Sequence, residues 1–347
     1  MDDLRNRLQK EHIVTSAPCR IDMGGTLDIP LFNYYLKDLL PRTFNIAVDM
    51  RTFVSILPHK PGKIKISSKG FNSEEFSLNK TPFDHPLGLM FAIVSYFKVD
   101  GIHIKIDSKS PPKSALGGSS TAAVALIYAL LIAKGLKLTK DDIVMLAYNI
   151  ESIVAKVPCG IQDQLAATYG GINAWRFPGF PNVRFMKEPL IFVDKYKKIN
   201  NNILLAYCGI PHESKDVNSK WVDQFMRGRT REMWHEIVLL TNTFIHKFKE
   251  ENWSEAALAM NKEVEIRREL TPEVFDETGI LLVEEAINNN CGARFTGAGG
   301  GGCIWAIGES QHIAELKDSW SKIIENVEDA RLLEFNVAEN GIIENKT

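Results

Sequence analysis

The stretch Pro111–Gly135 reads PPKSALGGSSTAAVALIYALLIAKG and decides much of the fold. Its second half, from Ser120 to Lys134, is apolar nearly all round, which predicts a deeply buried helix that ends at Gly135. The preceding loop, LGGSST at Leu116–Thr121, joins two glycines, which permit close backbone approach to a ligand, to three hydroxyl side chains. A helix N-terminus adds free N–H groups and partial positive charge. The loop therefore predicts either a phosphate site or a glycine turn followed by a serine N-cap.

The composition narrows the class of protein. The chain has 347 residues, of which 45% are hydrophobic and 24% charged, as in an ordinary globular enzyme of about two domains. Its net charge of −2 argues against nucleic acid or an anionic membrane as a main partner. The five cysteines are scattered without zinc-ligand spacing, and the N-terminus lacks the apolar core of a signal peptide. We therefore expect a cytoplasmic protein, of an oligomeric state that the sequence does not give.

The order of elements predicts an α+β fold with antiparallel sheets. A capping signal at Thr139 and Asp142 predicts a second helix from about Lys140 to Val157. A polar stretch at Lys195–Asn202 places a boundary between domains of residues 1–198 and 199–347. The region from Lys215 to Leu270 predicts two or three amphipathic helices. The remaining predictions are strands at Thr52–Leu57, Lys63–Ser67, Ile102–Ile106, Ile203–Tyr207, Ala293–Thr296 and Cys303–Ile307, and a helix at Glu277–Asn289.

Two carboxylates have surroundings that suggest chemistry. Glu151 lies at the edge of the apolar face of the 140–157 helix, where it is either a metal ligand or a side chain that reaches solvent. Asp163, in the sequence PCGIQDQ, is either a helix cap or a functional carboxylate.

Arg20 lies on a predicted strand within APCRIDMGGTLD, and its charge calls for a carboxylate or a phosphate. The Gly-Gly pair that follows permits close approach of a ligand, and Asp28 can accept hydrogen bonds from sugar hydroxyls. A structural ion pair beside a turn explains the same residues. The run GAGGGG at 297–302 matches GxGxxG only formally, because a strand follows it rather than a helix.

Three motifs in this order resemble those of the GHMP kinase superfamily. APCRID resembles its first motif, PPKSALGGSSTAA its phosphate-binding second motif, and FTGAGGGGC its third. The segment PCGIQDQ, with Glu151 twelve residues before Asp163, is similar to the sugar-kinase branch. Within that branch, IQDQLAATYGG looks most like the bacterial D-glycero-D-manno-heptose 7-phosphate kinases. The sequence departs from them in GGTLD, which is one residue shorter than their GGGTD-like string, and in Gly118, which replaces a loop serine.

The resemblance implies a two-domain fold, with an N-terminal domain like ribosomal protein S5 domain 2 and a ferredoxin-like C-terminal domain. It implies that Asp163 acts as base or electrostatic anchor at the accepting hydroxyl, and that Arg20 pairs with Asp163 and stabilises the transferred phosphoryl group. It also implies that Ser119 and Glu151 ligate Mg²⁺. The implied ATP-phosphate contacts are Leu116, Gly117, Gly118, Ser119 and Ser120, and the implied substrate contacts are Gly25, Thr26, Asp28, Gly299 and Gly300.

The activity implied is an ATP- and Mg²⁺-dependent sugar kinase that phosphorylates an anomeric hydroxyl, with a heptose 7-phosphate as the favoured acceptor. A galactokinase- or fucokinase-like hexose kinase is the alternative within the same class. A sugar- and ATP-binding sensor without turnover and a dinucleotide oxidoreductase are alternatives from other classes.

Overall fold

The computed structural model describes residue 8 and residues 12–178, 185–191, 193–211 and 215–345. The strands are β1 (Ile13–Met23), β2 (Arg42–Pro58), β3 (Lys63–Ser68), β4 (Glu74–Ser77), β5 (Ile102–Ser108), β6 (Ile172–Arg176), β7 (Met186–Pro189), β8 (Ile203–Tyr207), β9 (Gly292–Phe295), β10 (Cys303–Ile307), β11 (Arg331–Leu332) and β12 (Ile343–Glu344). The α-helices are α1 (Pro30–Tyr35), α2 (Gly88–Phe97), α3 (Gly118–Lys134), α4 (Lys140–Ala155), α5 (Gln162–Tyr169), α6 (Tyr196–Ile199), α7 (Lys215–Met226), α8 (Arg231–Lys249), α9 (Trp253–Leu270), α10 (Glu277–Asn288) and α11 (Ser310–Ile324).

The first sheet has the strand order β12-β1-β2-β5-β3-β4, and β6 joins β2 to β7. Its pairings are antiparallel, as predicted, except that β3 and β5 run parallel. Because β1 and β5 are both antiparallel to β2, the strands β1, β5 and β3 all run in the same direction. Their carboxyl ends therefore point toward the same end of the sheet, and the loops that follow them can share a site.

The predicted apolar helix is confirmed as α3, which packs on β1 and β2. It begins at Gly118, two residues earlier than predicted, and ends at Gly135, whose φ of +64° provides the left-handed cap. Apart from Tyr128 and Ile132, every residue from 120 to 133 is buried. The capping box at Thr139 and Asp142 is also present and starts α4.

The second sheet is antiparallel, with the order β11-β8-β10-β9. Numbered along the chain within this sheet, that order is 4-1-3-2, and helices connect the first strand to the second and the third to the fourth. This is the ferredoxin-like arrangement. The predicted strands at Ile203–Tyr207 and Cys303–Ile307 are confirmed, and the region 215–270 contains three helices, α7 to α9.

The two sheets share one hydrophobic core. Phe44 of β2 stacks on Trp305 of β10 with ring centroids 6.3 Å apart, and Phe244 of α8 packs edge-on against both rings. The chain passes from the first sheet to the second between β7 and β8, and β12 returns to pair with β1. The domain boundary at residues 198 and 199 stays a prediction. None of the described helices is long and apolar enough to cross a membrane.

Candidate active site

An ion pair between Arg20 and Asp163 lies at the centre of the site. Arg20 is near the end of β1 and is 4% exposed, and its Nε donates to Oδ1 of Asp163 at 2.8 Å. Its Nη1 donates to the carbonyl of Ala115 at 2.6 Å and lies 3.3 Å from Oδ1 of Asp22. Burial alone would lower the pKa of Arg20, but the charges of Asp163 and Asp22 raise it above its ordinary value. Arg20 therefore remains a cation with fixed geometry.

The phosphate-type loop lies directly against this pair. The backbone N–H of Arg20 donates to the carbonyl of Leu116, which ties the loop to β1. Gly117 is the N-cap of α3, with a φ of +76° and no side chain to cap the helix. A Cβ at Gly117 would lie 3.1 Å from the carboxylate of Asp163. Glycine is thus required twice, for its backbone angle and for the space beside Asp163, and the N-terminal amides of α3 remain open to the cavity.

Asp28 stabilises the start of α5, the helix that carries Asp163. Its Oδ2 accepts from the N–H of Gln162 at 2.8 Å and its Oδ1 from the N–H of Thr26 at 3.1 Å. A Cβ at Gly160 would lie 1.8 Å from Oδ2, so only glycine allows this contact. Burial raises the pKa of Asp28 to about 6, although the N–H of Gln162 opposes the shift.

Thr26 adopts an unusual backbone conformation, with φ at +86°. A β-branched residue in this region is strained by about 1–3 kcal/mol, which the surrounding contacts must offset. Two of those contacts come from Arg267 of α9. Its Nη2 donates to the carbonyl of Gly25 at 2.8 Å and its Nη1 to Oγ1 of Thr26 at 3.3 Å.

Glu151 lies where three helices meet. Gln164 of α5 donates through Nε2 to Oε2 of Glu151 at 2.6 Å, and the hydroxyl of Ser120 on α3 also bonds to Glu151. Burial raises the pKa of Glu151 to about 7, and the negative charge of Asp163 adds to the shift. The other amide atom of Gln164, Oε1, is buried without a hydrogen-bond partner in the described part of the chain.

These residues line a cavity of about 550 Å³ beside the carboxyl ends of β1, β5 and β3. One end lies after β1, next to Thr26, Asp28 and Gln162. The other end lies next to residues 68–71, at the end of β3. The strands β1 and β3 are not neighbours, because β2 and β5 lie between them. Arg20, Asp163, Glu151 and the start of α3 also line the cavity, so one cavity connects all these residues.

The structure brings most of the predicted site residues together on the wall of this cavity: Arg20, Thr26, Asp28, Gly117, Gly118, Ser119, Ser120, Glu151 and Asp163. Four predicted residues lie behind the wall. Leu116 is fully buried, the carbonyl of Gly25 is occupied by Arg267, and Gly300 donates its N–H to Val274. Gly299, next to Gly300, packs against Val274. The residues of this loop that line the cavity are Gly297 and Ala298.

Sequence reasoning missed the charged residues that support this wall. Asp22 is fully buried and accepts from the N–H of Gly297 at 2.7 Å and from Nη1 of Arg294 at 3.4 Å. Glu263 of α9 bridges Arg294, at 3.1 Å, and Arg267, at 2.8 Å. The i,i+4 spacing of Glu263 and Arg267 was a readable signal of an ion pair. Their burial was not readable, because it depends on how α9 packs against the second sheet and against Gly25 and Thr26.

Two segments of the chain match models of known protein families. Residues 87–171 match the GHMP kinases N terminal domain, and residues 244–326 match the GHMP kinases C terminal domain. The chain belongs to the GHMP kinase superfamily. Members of this superfamily are phosphotransferases that use ATP as donor and an alcohol as acceptor, and the chain is an enzyme of this class.

The relatives act on different acceptors. Mevalonate kinase of Thermococcus sibiricus is 24% identical over 326 residues, which cover 85% of this chain and 89% of that protein. D-glycero-alpha-D-manno-heptose 7-phosphate kinase of Campylobacter jejuni is 28% identical over 235 residues, which cover 65% and 68%. The structure of Lactococcus lactis galactokinase complexed with galactose superimposes with a TM-score of 0.75 at 17% identity, covering 99% of both chains. That superposition shows the shared fold.

Replacing Gly117 with alanine should destabilise the protein by about 1–3 kcal/mol, because the new Cβ meets Asp163 at a strained backbone angle. Gly118→Ala is the matched control. Its Cβ has no contact closer than 3.8 Å, and its position is helical, so stability should stay within about 0.5 kcal/mol. Urea unfolding of the three proteins measures this difference. Equal stabilities of the two variants would contradict the placement of Gly117 against Asp163.

Replacing Glu151 with glutamine should stabilise the metal-free protein at pH 8 but not at pH 4.5. Folding raises the pKa of Glu151 from 4.5 to about 7, so its contribution to stability is complete below pH 4.5 and is lost as the pH rises through 7. The glutamine carries no charge to bury, and Gln164 can turn its amide to accept from it. We expect a gain on the order of 2 kcal/mol at pH 8.

Unfolding by urea in the presence of a chelator at both pH values measures this gain. Glu284→Gln, an acid-to-amide change on the exposed face of α10, is the control. A gain for Glu151→Gln that is independent of pH would contradict the burial of an ionised carboxylate at this position.

Proposed function

We propose that this phosphotransferase is a sugar kinase that transfers the γ-phosphoryl group of ATP to an anomeric hydroxyl, with Mg²⁺ as its metal. The observation that carries the proposal is the placement of Asp163. Its partly exposed carboxylate faces the cavity, it is oriented by a 2.8 Å bond from Arg20, and it lies beside the open N-terminus of α3. A hydroxyl acceptor and a nucleotide phosphate can meet at this point.

The donor end of the cavity fits a nucleotide. The open amides of Gly118, Ser119 and Ser120 at the start of α3 would bind phosphate oxygens, with the helix dipole favouring their negative charge. Beyond them the wall becomes apolar. The residues there that would receive a nucleobase are Phe71, Pro86, Leu87, Leu89, Met90, Pro111 and Pro112.

The oxygen atoms around Glu151 fit a magnesium ion. Glu151 is buried beside hydroxyl and amide groups rather than a described cation, and the carbonyl oxygen of Gln164 has no partner. Glu151 and a loop serine, Ser119 or Ser120, would hold the ion. The described residues contain no group of three or more His, Cys, Asp and Glu side chains placed to hold a metal. This suits Mg²⁺, which uses few protein carboxylates together with nucleotide phosphates and water. When bound, it would neutralise charge on those phosphates.

The protein side chains then account for the transfer. Asp163 accepts a hydrogen bond, and then the proton, from the anomeric hydroxyl, which becomes the attacking oxygen. Arg20 holds Asp163 in place through the 2.8 Å hydrogen bond, and its charge lies beside the group being transferred. Because the reaction consists mostly of positioning and charge neutralisation, this arrangement requires no covalent enzyme intermediate.

The acceptor end favours a polyhydroxylated ligand. The polar groups that line this end include Thr26, Asp28, Gln162 and Asn218, which can form hydrogen bonds with hydroxyls. The nearby cation, Arg20, is already paired with Asp163 and Asp22. Several hydrogen-bonding groups around one point suit the many hydroxyls of a sugar better than mevalonate, which offers fewer hydroxyls. A heptose 7-phosphate remains the favoured sugar because the Campylobacter jejuni relative acts on it, and its phosphate lies far from the anomeric carbon.

Release of ADP from ATP and Mg²⁺ tests the acceptor across heptose 7-phosphates, free heptoses, hexoses and mevalonate, with products located by phosphorus NMR. We expect phosphorylation of a heptose 7-phosphate at C1. Turnover of a hexose such as galactose or fucose would contradict the favoured sugar and would point to the shortened GGTLD segment as the cause. Turnover of mevalonate would contradict a sugar kinase. ATP binding without turnover on any acceptor would support the sensor.

Replacing Asp163 with asparagine should lower kcat by about 10²–10⁴-fold while ATP binding is retained. Asparagine can still accept the hydrogen bond from Arg20 but cannot take a proton. Asp107→Asn, the same change at an exposed position on β5, is the control and should leave kcat unchanged. The measurement is steady-state turnover together with ATP titration by calorimetry. Full turnover by Asp163→Asn would rule out the proposed site.

A further inference from the structure

The loop between β1 and α1, residues 24–29, forms the acceptor end of the cavity. Its backbone conformation is strained and requires contacts from outside the loop. Thr26 sits at φ +86° and Gly24 at +72°. Within the loop, the N–H of Leu27 donates to Gly24, that of Ile29 to Thr26, and that of Thr26 to Asp28. These bonds form only while Thr26 keeps its strained angle, so a group outside the loop must maintain it.

Arg267 is the group in contact with the strained residue. Its two terminal nitrogens donate to the carbonyl of Gly25 and to the hydroxyl of Thr26. The guanidinium lies 4.6 Å from the ring centroid of Trp221 and 4.7 Å from that of Trp234, and it is fully buried. The two indole rings are nearly perpendicular, with centroids 5.8 Å apart, and pack on adjacent sides of the guanidinium. Together with the bond to Glu263, they fix the direction of its remaining donors toward the loop.

Arg267 is also connected to the reacting centre through buried charges. Its Nε binds one oxygen of Glu263, whose second oxygen binds Arg294. Arg294 contacts Asp22, which contacts Arg20, the partner of Asp163. Acids and bases alternate along this chain of six residues, so each buried charge has an opposite neighbour. Removal of one member of such a network leaves an uncompensated buried charge, which is strongly destabilising.

We propose that Arg267 is a positioning residue of this enzyme: it holds the β1–α1 loop in the shape that binds the acceptor. In this way a residue of α9, which packs on the second sheet, determines the affinity for the acceptor. Only the effect of Arg267 on acceptor affinity rests on the proposed function. The role of Arg267 in fixing the loop concerns the ligand-free protein and is tested without any substrate.

Hydrogen–deuterium exchange of ligand-free protein tests the loop. Arg267→Lys keeps the charge, but a single ammonium cannot bind Glu263 and both loop oxygens in one geometry. We expect the amides of residues 26–29 to exchange at least about tenfold faster than in the parent protein. Loss of one or two hydrogen bonds from Arg267 to the loop shifts the equilibrium for local opening of the loop by about that factor. Arg268→Lys, at the next position of α9 and partly exposed, is the matched control and should exchange like the parent protein.

Steady-state kinetics on the acceptor identified for the parent enzyme provides the second readout. Arg267→Lys should raise KM for the acceptor about tenfold and leave KM for ATP within about twofold, because the donor end contains no atom held by Arg267. A parallel rise of both KM values, or unchanged exchange of residues 26–29 in a folded Arg267→Lys, would overturn the proposal. If no sugar is phosphorylated by the parent protein, the proposed function fails while the exchange result still decides the role of Arg267.

Thr26 allows the same contact to be tested from the loop if Arg267→Lys does not fold. Thr26→Val removes the hydroxyl that accepts from Arg267 but keeps the buried ion pair with Glu263 and the branched side chain. We expect faster exchange of residues 26–29 for Thr26→Val than for Thr26→Ser, which keeps the hydroxyl. Equal exchange for the two Thr26 variants would overturn the proposal.

Discussion

The buried cation Arg20, held between Asp163 and Asp22, is the interaction on which the rest of the site depends. At 4% exposure its buried charge is compensated by both carboxylates, and each carboxylate leads to a different part of the molecule. Asp163 belongs to the helix that follows PCGI, and it faces the cavity. Asp22 contacts Arg294, at the end of the second sheet. One guanidinium thereby fixes the carboxylate of Asp163 relative to both sheets.

The arrangement of strands explains why so many loops reach this cation. The strands β1, β5 and β3 run in the same direction, so the loop of Gly24–Asp28, the loop before α3 and residues 68–71 emerge on one side of the first sheet. Close packing of these loops is possible because Gly117 and Gly160 leave room for the carboxylates of Asp163 and Asp28. The same packing raises the pKa of Asp28 and of Glu151, so burial of these two carboxylates in their ionised form reduces the free energy of unfolding.

The parts of the fold that were predictable from sequence are those in which a local residue pattern is compatible with only one type of secondary structure. The apolar helix α3, the capping box at Thr139 and the strands β8 and β10 have such patterns, and the structure confirms them. For the site, the APCRID motif predicted Arg20, and the PCGIQDQ segment predicted Asp163 together with Glu151. The structure places all three around one cavity. The strained angle of Thr26 and the burial of Arg267 were not predictable, because both result from the docking of α9 against the β1–α1 loop.

The most direct test of the account is a crystal structure of the protein with Mg²⁺, a non-hydrolysable ATP analogue and the sugar that it phosphorylates. The account predicts that the accepting hydroxyl lies within hydrogen-bond distance of Asp163, with Arg20 still bound to that carboxylate and the γ-phosphate beside both. It also predicts that Thr26 keeps its positive φ and its contact with Arg267. An accepting hydroxyl away from Asp163, or an Arg20–Asp163 pair that has separated, would contradict the account.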